Sequence, residues 1–132
     1  MARKQTVPPA AFSDALVQML HDYTDDVKRG IAAEVEATGK EAKQAIKDAS
    51  PVGRTKSYKR GWRVKKRNRD GSYTSIVHNA TDYQIVHLLE HGHAKRGGGR
   101  VRAIPHVGPV ADRLSAQMER NMRRIIENGG RR

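Results

Sequence analysis

Residues 79–110 read NATDYQIVHLLEHGHAKRGGGRVRAIPHVGPV, and this stretch decides the fold. Thr81 or Asp82 is placed to cap a short helix carrying Tyr83, Val86, Leu89 and Glu90, with His87 and Leu88 also expected against a sheet. Gly92 ends that helix. Residues 91–104 read as a basic loop kept mobile by Gly97-Gly98-Gly99 unless a partner orders it. Pro105 then leads into a second amphipathic helix running from Val107 to Asn128. It places Val110, Leu114, Met118, Met122 and Ile125 on one face, and Gly129-Gly130 stops it.

Upstream of this stretch the period changes to two. In GWRVKKRNRDGSYTSIVHN, Trp62 and Val64 alternate with Arg63 and Lys65. Tyr73, Ser75 and Val77 alternate with Thr74 and Ile76, and Asp70-Gly71 between the runs suits a tight hairpin turn. Before this pair SPVGRTKSYKRG reads as a turn-rich basic loop.

Farther upstream, apolar or small residues recur at steps of three and four from Phe12 through Leu16, Met19, Leu20, Tyr23, Val27, Ile31, Val35, Thr38, Ala42, Ile46 and Ala49. That spacing predicts one helix capped at Ser13 or Asp14 and stopped by Ser50-Pro51. About 38 residues at 1.5 Å each would span roughly 57 Å. A domain of this size has a radius of gyration near 14 Å, so the helix either kinks at Gly30 or Gly39, packs on another copy, or does both. The whole predicts one α+β domain over residues 1–132. A long N-terminal helix, a small antiparallel sheet with a hairpin, a short middle helix and a C-terminal helix follow in order, with residues 1–11 a flexible leader and 129–132 a flexible tail.

Of the 132 residues 36% are hydrophobic and 30% charged, with one Trp and one Phe, so a compact monomer would bury little. Part of the stability is therefore expected from neighbouring subunits. The absence of cysteine excludes disulfide frameworks, Fe–S clusters and thiolate zinc sites. No apolar run approaches a membrane span, and the basic start MARKQTVPPA has no signal-peptide core, which predicts a soluble, intracellular chain without membrane contact.

The net charge of +12 is unevenly spread. Residues 10–50 hold eight acids against five bases, whereas residues 53–72 hold nine bases against Asp70 alone. Lys95, Arg96, Arg100 and Arg102 add a second basic cluster. Such polarity can steer nucleic acid or an acidic protein surface, or join the acidic end of one copy to the basic end of the next. Lys59, Arg60, Lys65, Lys66, Arg67, Arg69 and Lys95 are the candidates for contact with DNA or an acidic partner.

Motifs with chemical potential are few. His87 and His91 at i and i+4, with His93 and His106, can in principle share a metal. Against this, Gly92 turns the backbone and no HExxH spacing is present, so carbonyl capping or solvation at a helix end is the simpler role. The GGG run follows a helix rather than a strand and lacks a following Lys-Ser or Lys-Thr, so it is neither a P-loop nor a dinucleotide fingerprint. The run KKRNRDG suits non-specific attraction to phosphates or a solvated hairpin tip, since no helix-turn-helix, zinc finger or RNP-type aromatic pair accompanies it. Glu90 has no Ser, Cys or paired acid beside it in sequence, so a structural hydrogen bond or an ion pair with Arg100 or Arg102 is expected rather than general-base work. Trp62 reads as a core residue of the sheet, with an interface anchor as the second option, and Met118 and Met122 as helix packing. No catalytic residue, metal site or cofactor is implied.

Three segments in order carry a resemblance. SPVGRTKSYKRGW follows a long amphipathic helix; YTSIVHN ends a strand in Asn and leads to a Tyr helix closing LLEHGH; IPHVGPVADRL opens the last helix. This order is similar to that of the tail-completion (neck or minor tail) proteins of long-tailed bacteriophages, over roughly residues 12–126. The departures lie in the loop, where Gly92-His93 stands for the family's usual Gly-Thr and Pro105-His106 for its aromatic near the proline. The resemblance implies a structural virion protein, not an enzyme, assembled in the host cytoplasm. It implies a homo-oligomeric ring at the neck that contacts portal or connector and tail-tube or tail-terminator proteins and lets DNA pass, with non-specific DNA contact. On that reading the sheet and the Tyr83–Glu90 helix form the scaffold. Leu16, Leu20, Tyr23, Val27, Ile31, Val35, Arg96, Arg100, Arg102 and Ile104 are then the subunit-interface candidates. The competing class is a non-specific nucleic-acid-binding protein acting through the basic hairpin and glycine-rich loop.

Overall fold

A computed structural model describes residues 9–53, 56–69 and 72–131, with side chains from Asp14 onward. The expected leader up to Pro8 and the expected Asp70-Gly71 turn lie outside the described residues.

Helix α1 covers Pro9–Ala49, 41 residues and about 61 Å at the standard rise. It starts upstream of the expected caps Ser13 and Asp14 and runs uninterrupted through Gly30 and Gly39. Close approach explains both glycines. A Cβ at Gly30 would lie 2.6 Å from the Gly130 carbonyl oxygen and 2.7 Å from Ile125 Cγ2. One at Gly39 would lie 2.5 Å from Ser75 Cβ. The glycines thus let α4 and the sheet seat directly on the α1 backbone, at a helix-propensity cost of about 1 kcal/mol each.

The basic segment expected to be irregular contains a one-turn helix, α2 (Ser57–Arg60), which buries Tyr58. Strands β1 (Trp62–Arg69) and β2 (Ser72–Asn79) pair antiparallel, from Trp62 opposite Asn79 to Arg69 opposite Ser72. The face carrying Trp62, Val64, Ser75 and Val77 meets α1, and Ser75 Oγ donates to the Val35 carbonyl at 2.8 Å. Helix α3 (Tyr83–His91) follows, then a two-stranded hairpin of β3 (His93–Ala94) and β4 (Arg100–Val101), then α4 (Gly108–Glu127). The segment expected as a mobile loop is therefore a small hairpin, closed by Lys95 N–H donating to Gly99 O at 2.9 Å.

Helices α1 and α4 run antiparallel. Tyr23 OH donates to the Ile126 carbonyl at 2.6 Å, Asn121 Nδ2 to Glu34 at 2.8 Å, and Gln117 Nε2 to Glu41 at 3.3 Å. The core gathers Ile46, Tyr58, Trp62, Val110 and Leu114, with Val86 and Leu89 of α3 half-buried against it. Ile125 is buried farther along α4, and Met118 and Met122 are half-buried. Gly129 and Gly130, expected to begin a flexible tail, sit half-buried against α1.

Two expectations change here. Tyr83 does not pack on the sheet but is 67% exposed, and His87 and Leu88 are exposed as well. The scaffold is also less the sheet and α3 than the second half of α1 with the sheet and α4, since α3 has no fully buried residue.

Candidate functional site

The binding potential of this chain lies on its surfaces, and a buried polar network fixes how those surfaces are held. Glu90, at the end of α3, reaches the start of α4. Its Oε1 accepts the backbone N–H of His106 and of Val107, both at 2.9 Å, and its Oε2 accepts that of Gly108 at 2.8 Å. These are amides a helix start leaves without intrahelical partners, and the carboxylate also meets the positive end of the α4 dipole. Burial by itself would raise the Glu90 carboxyl, but the three amides outweigh it and hold it below the usual value. The expected ion pair with Arg100 or Arg102 is not formed: Arg100 instead reaches the His91 carbonyl at 3.4 Å.

His106 is buried at 1% exposure and links three elements. Its Nδ1 lies 2.7 Å from the Ile104 carbonyl and its Nε2 2.5 Å from the Tyr58 hydroxyl. A neutral ring with the proton on Nδ1 satisfies both, donating to Ile104 and accepting from Tyr58. Burial first, then the Glu90 and Asp82 charges, push the Tyr58 phenol up to about 12, so it stays a donor. Tyr58, Trp62 and His106 stack edge to face, with centroids 5.5–6.2 Å apart. Trp62 is the core residue expected; its indole N–H donates to Ser50 Oγ at 2.7 Å, and Ser50 donates to the Ile46 carbonyl at 2.6 Å.

Asn79 ties strand to helix. Its Oδ1 accepts the Asp82 amide at 2.8 Å, and its Nδ2 donates to the Tyr58 carbonyl at 2.7 Å. Asp82 occupies the N-cap position of α3, as one expected alternative had it, but its side chain accepts Ser57 Oγ at 2.8 Å rather than capping the helix. Sequence reasoning did not single out Tyr58, and it weighed His106 as a metal ligand, Asn79 as a strand end and Ser50 as part of a helix stop rather than as members of this network. The signal for the first two was a Tyr alone in a basic run and a His trapped between two prolines.

The surfaces divide into three. On the first half of α1, Leu16, Val17, Met19, Leu20 and Tyr23 are 46–68% exposed. Val27 and Ile31 are half-buried, and Val35 is buried within the chain, which removes it from any surface. On the outward face of β1, Arg63, Lys65, Arg67 and Arg69 are all exposed. Lys66 points to the other face and reaches Glu36 at 3.5 Å, which together with Lys40 lowers the Glu36 carboxyl. Lys59 is half-buried and Arg60 exposed. The third surface joins α3 and the hairpin. It exposes Tyr83, Ile85, Leu88 and Ile104 beside Lys95, Arg96, Arg100 and Arg102.

The four histidines weighed as metal ligands are divided. The rings of His87 and His91 lie 4.8 Å apart, whereas His106 is engaged by Tyr58 and Ile104. Among the described residues no group of three or more His, Cys, Asp or Glu is placed to hold a metal ion. Among them, too, no helix is long and apolar enough to cross a membrane.

The family described as "Bacteriophage HK97-gp10, putative tail-component" matches residues 14–92, more than half of the chain. That span takes in α1 from Asp14, the sheet and α3 to its closing glycine, and leaves the hairpin and α4 outside. No curated protein and no solved structure matches. With its helix, sheet and Glu-x-Gly helix end all inside the matched region, this chain belongs to the HK97-gp10-like family of bacteriophage tail components.

Proposed function

We propose that this tail component is a subunit of an oligomeric ring at the head–tail junction, completing the neck so that the tail attaches and DNA passes. The carrying observation is the unpartnered first half of α1, where Leu16, Leu20 and Tyr23 remain 46–57% exposed. Contiguous exposed apolar surface of this kind marks an interaction site. Val27 and Ile31 extend that surface inward, and Arg96, Arg100, Arg102 and Ile104 supply contacts at the other end of the molecule. Portal or connector and tail-tube or tail-terminator proteins are the neighbours this position requires. A phage lacking the gene tests the reading. Filled heads and separate tails that join when the protein is supplied are expected, whereas fully joined particles without it would refute the junction role.

A second reading, non-specific nucleic-acid binding, is favoured by the alignment of Arg63, Lys65, Arg67 and Arg69 on one exposed strand face. Residues two apart on a strand are roughly 7 Å apart, a spacing comparable to successive phosphates. Binding of free duplex that falls with salt at a log-log slope of about −0.9 per phosphate contact supports it, and loss of that slope in the four-alanine variant locates it. Weak, salt-insensitive binding would rule it out.

A further inference from the structure

The two exposed apolar patches lie at opposite ends of the molecule, and their charges are opposite. Tyr23 meets the C-terminal end of α4 through the Ile126 carbonyl, while Glu90 of α3 holds its N-terminal end. Helix α4 has 20 residues, so about 30 Å separates the two patches within one chain. One copy cannot close them on each other. Around the α1 patch, residues 14–29 hold four exposed aspartates against Lys28 and Arg29: Asp22 and Asp26 flank the apolar stripe, Asp26 paired with Arg29, while Asp14 and Asp25 fall on the far side of the helix. Over residues 83–104 Glu90 is the single acid, and it is turned inward to α4. The rim of the α3 patch is therefore set by Lys95, Arg96, Arg100 and Arg102, all exposed.

We infer that the first half of α1 of one copy docks on the α3–hairpin patch of the next, a head-to-tail contact between unlike surfaces. This deepens the ring reading and rests on it: an unlike-surface contact closes into a ring if the rotation per subunit allows, and otherwise extends as a filament. A like-with-like contact through α1 would set two net-acidic helix segments against each other, and the basic rims would repel in the same way if α3 met α3. Apolar area gives the contact its drive, and the opposed charges give it direction and register.

Complementary blocking separates this pairing from the alternatives. Leu20→Glu closes the α1 patch and Leu88→Glu the α3 patch; both sites are exposed, and unchanged circular dichroism and melting confirm that each variant folds. Sedimentation is expected to find the wild type multimeric and each variant monomeric. An equimolar mixture of the two should give a 1:1 dimer of twice the monomer mass, because one open patch remains on each partner and nothing can extend. If Leu88→Glu alone dimerises, or stays as large as wild type, the head-to-tail pairing is wrong while the ring reading survives. A wild type that stays monomeric at every concentration overturns both.

Discussion

Glu90 on α3 and His106 ahead of α4 are joined twice: Glu90 Oε1 accepts the His106 amide at 2.9 Å and lies 3.2 Å from the ring Nδ1. A helix with no fully buried residue is thereby locked to the helix that carries Val110 and Leu114 into the core. The basic hairpin follows α3 directly, so the same lock sets where Lys95 to Arg102 are displayed.

Removing the carboxylate should release that lock. Glu90→Ala is expected to cost about 2–3 kcal/mol, since it strips charge-assisted bonds from three amides at a helix start. Glu90→Gln keeps an acceptor but loses the charge, for about 1–2 kcal/mol. Urea unfolding reads both. The Glu90 carboxyl is held below its unfolded value, so its contribution is present above that value and disappears as pH falls through the folded one. The gap between wild type and Glu90→Gln should therefore be full at neutral pH and close below about pH 4.

Tyr58 acts at the opposite limit. Its folded value of about 12 exceeds the ordinary 10, so folding favours the neutral phenol. That stability is complete below pH 10 and is lost as pH rises from 10 toward 12, by up to about 3 kcal/mol. Tyr58→Phe should flatten this alkaline limb. At neutral pH it should cost about 1–2 kcal/mol, because His106 Nε2 loses its donor in a buried site. Melting followed from pH 8 to 12 checks both effects.

Gly30→Ala should destabilise, although alanine favours helices by about 1 kcal/mol. The added methyl would meet the Gly130 carbonyl at 2.6 Å and Ile125 Cγ2 at 2.7 Å, and parting α1 from α4 costs about 1–3 kcal/mol. Gly97→Ala, where an added Cβ meets nothing within 4 Å, should leave the melting temperature unchanged.

Much of this fold was legible because its periods are long and unbroken. The 3.6-residue stripe of α1 and α4 and the two-residue alternation of Trp62–Val64 and Tyr73–Val77 each met a matching element. Gly30 and Gly39 misled, because a glycine inside a helix signals a kink and a close-packed neighbour equally well. Glu90 was legible as a structural acid but not its partners. Arginine side chains nearby in sequence advertise themselves, whereas backbone amides at a helix start have no letter of their own. The pairing of Tyr58 with His106 was lost for a related reason: they lie 48 residues apart, and only the packed fold brings them together. The surfaces were half legible, since periodicity gave one stripe but not the point near Val27 where the chain begins to cover it.

Amide hydrogen exchange across residues 14–22, followed against protein concentration, tests most directly whether copies of the chain share the apolar stripe. Within one chain this stretch extends past α4 and is largely solvent-facing, so it should exchange within the time of local fraying when dilute. Protection that rises with concentration, in step with the sedimenting mass, is the expected result. Rapid exchange that persists in assembled particles, or full protection in a dilute monomer, would contradict it.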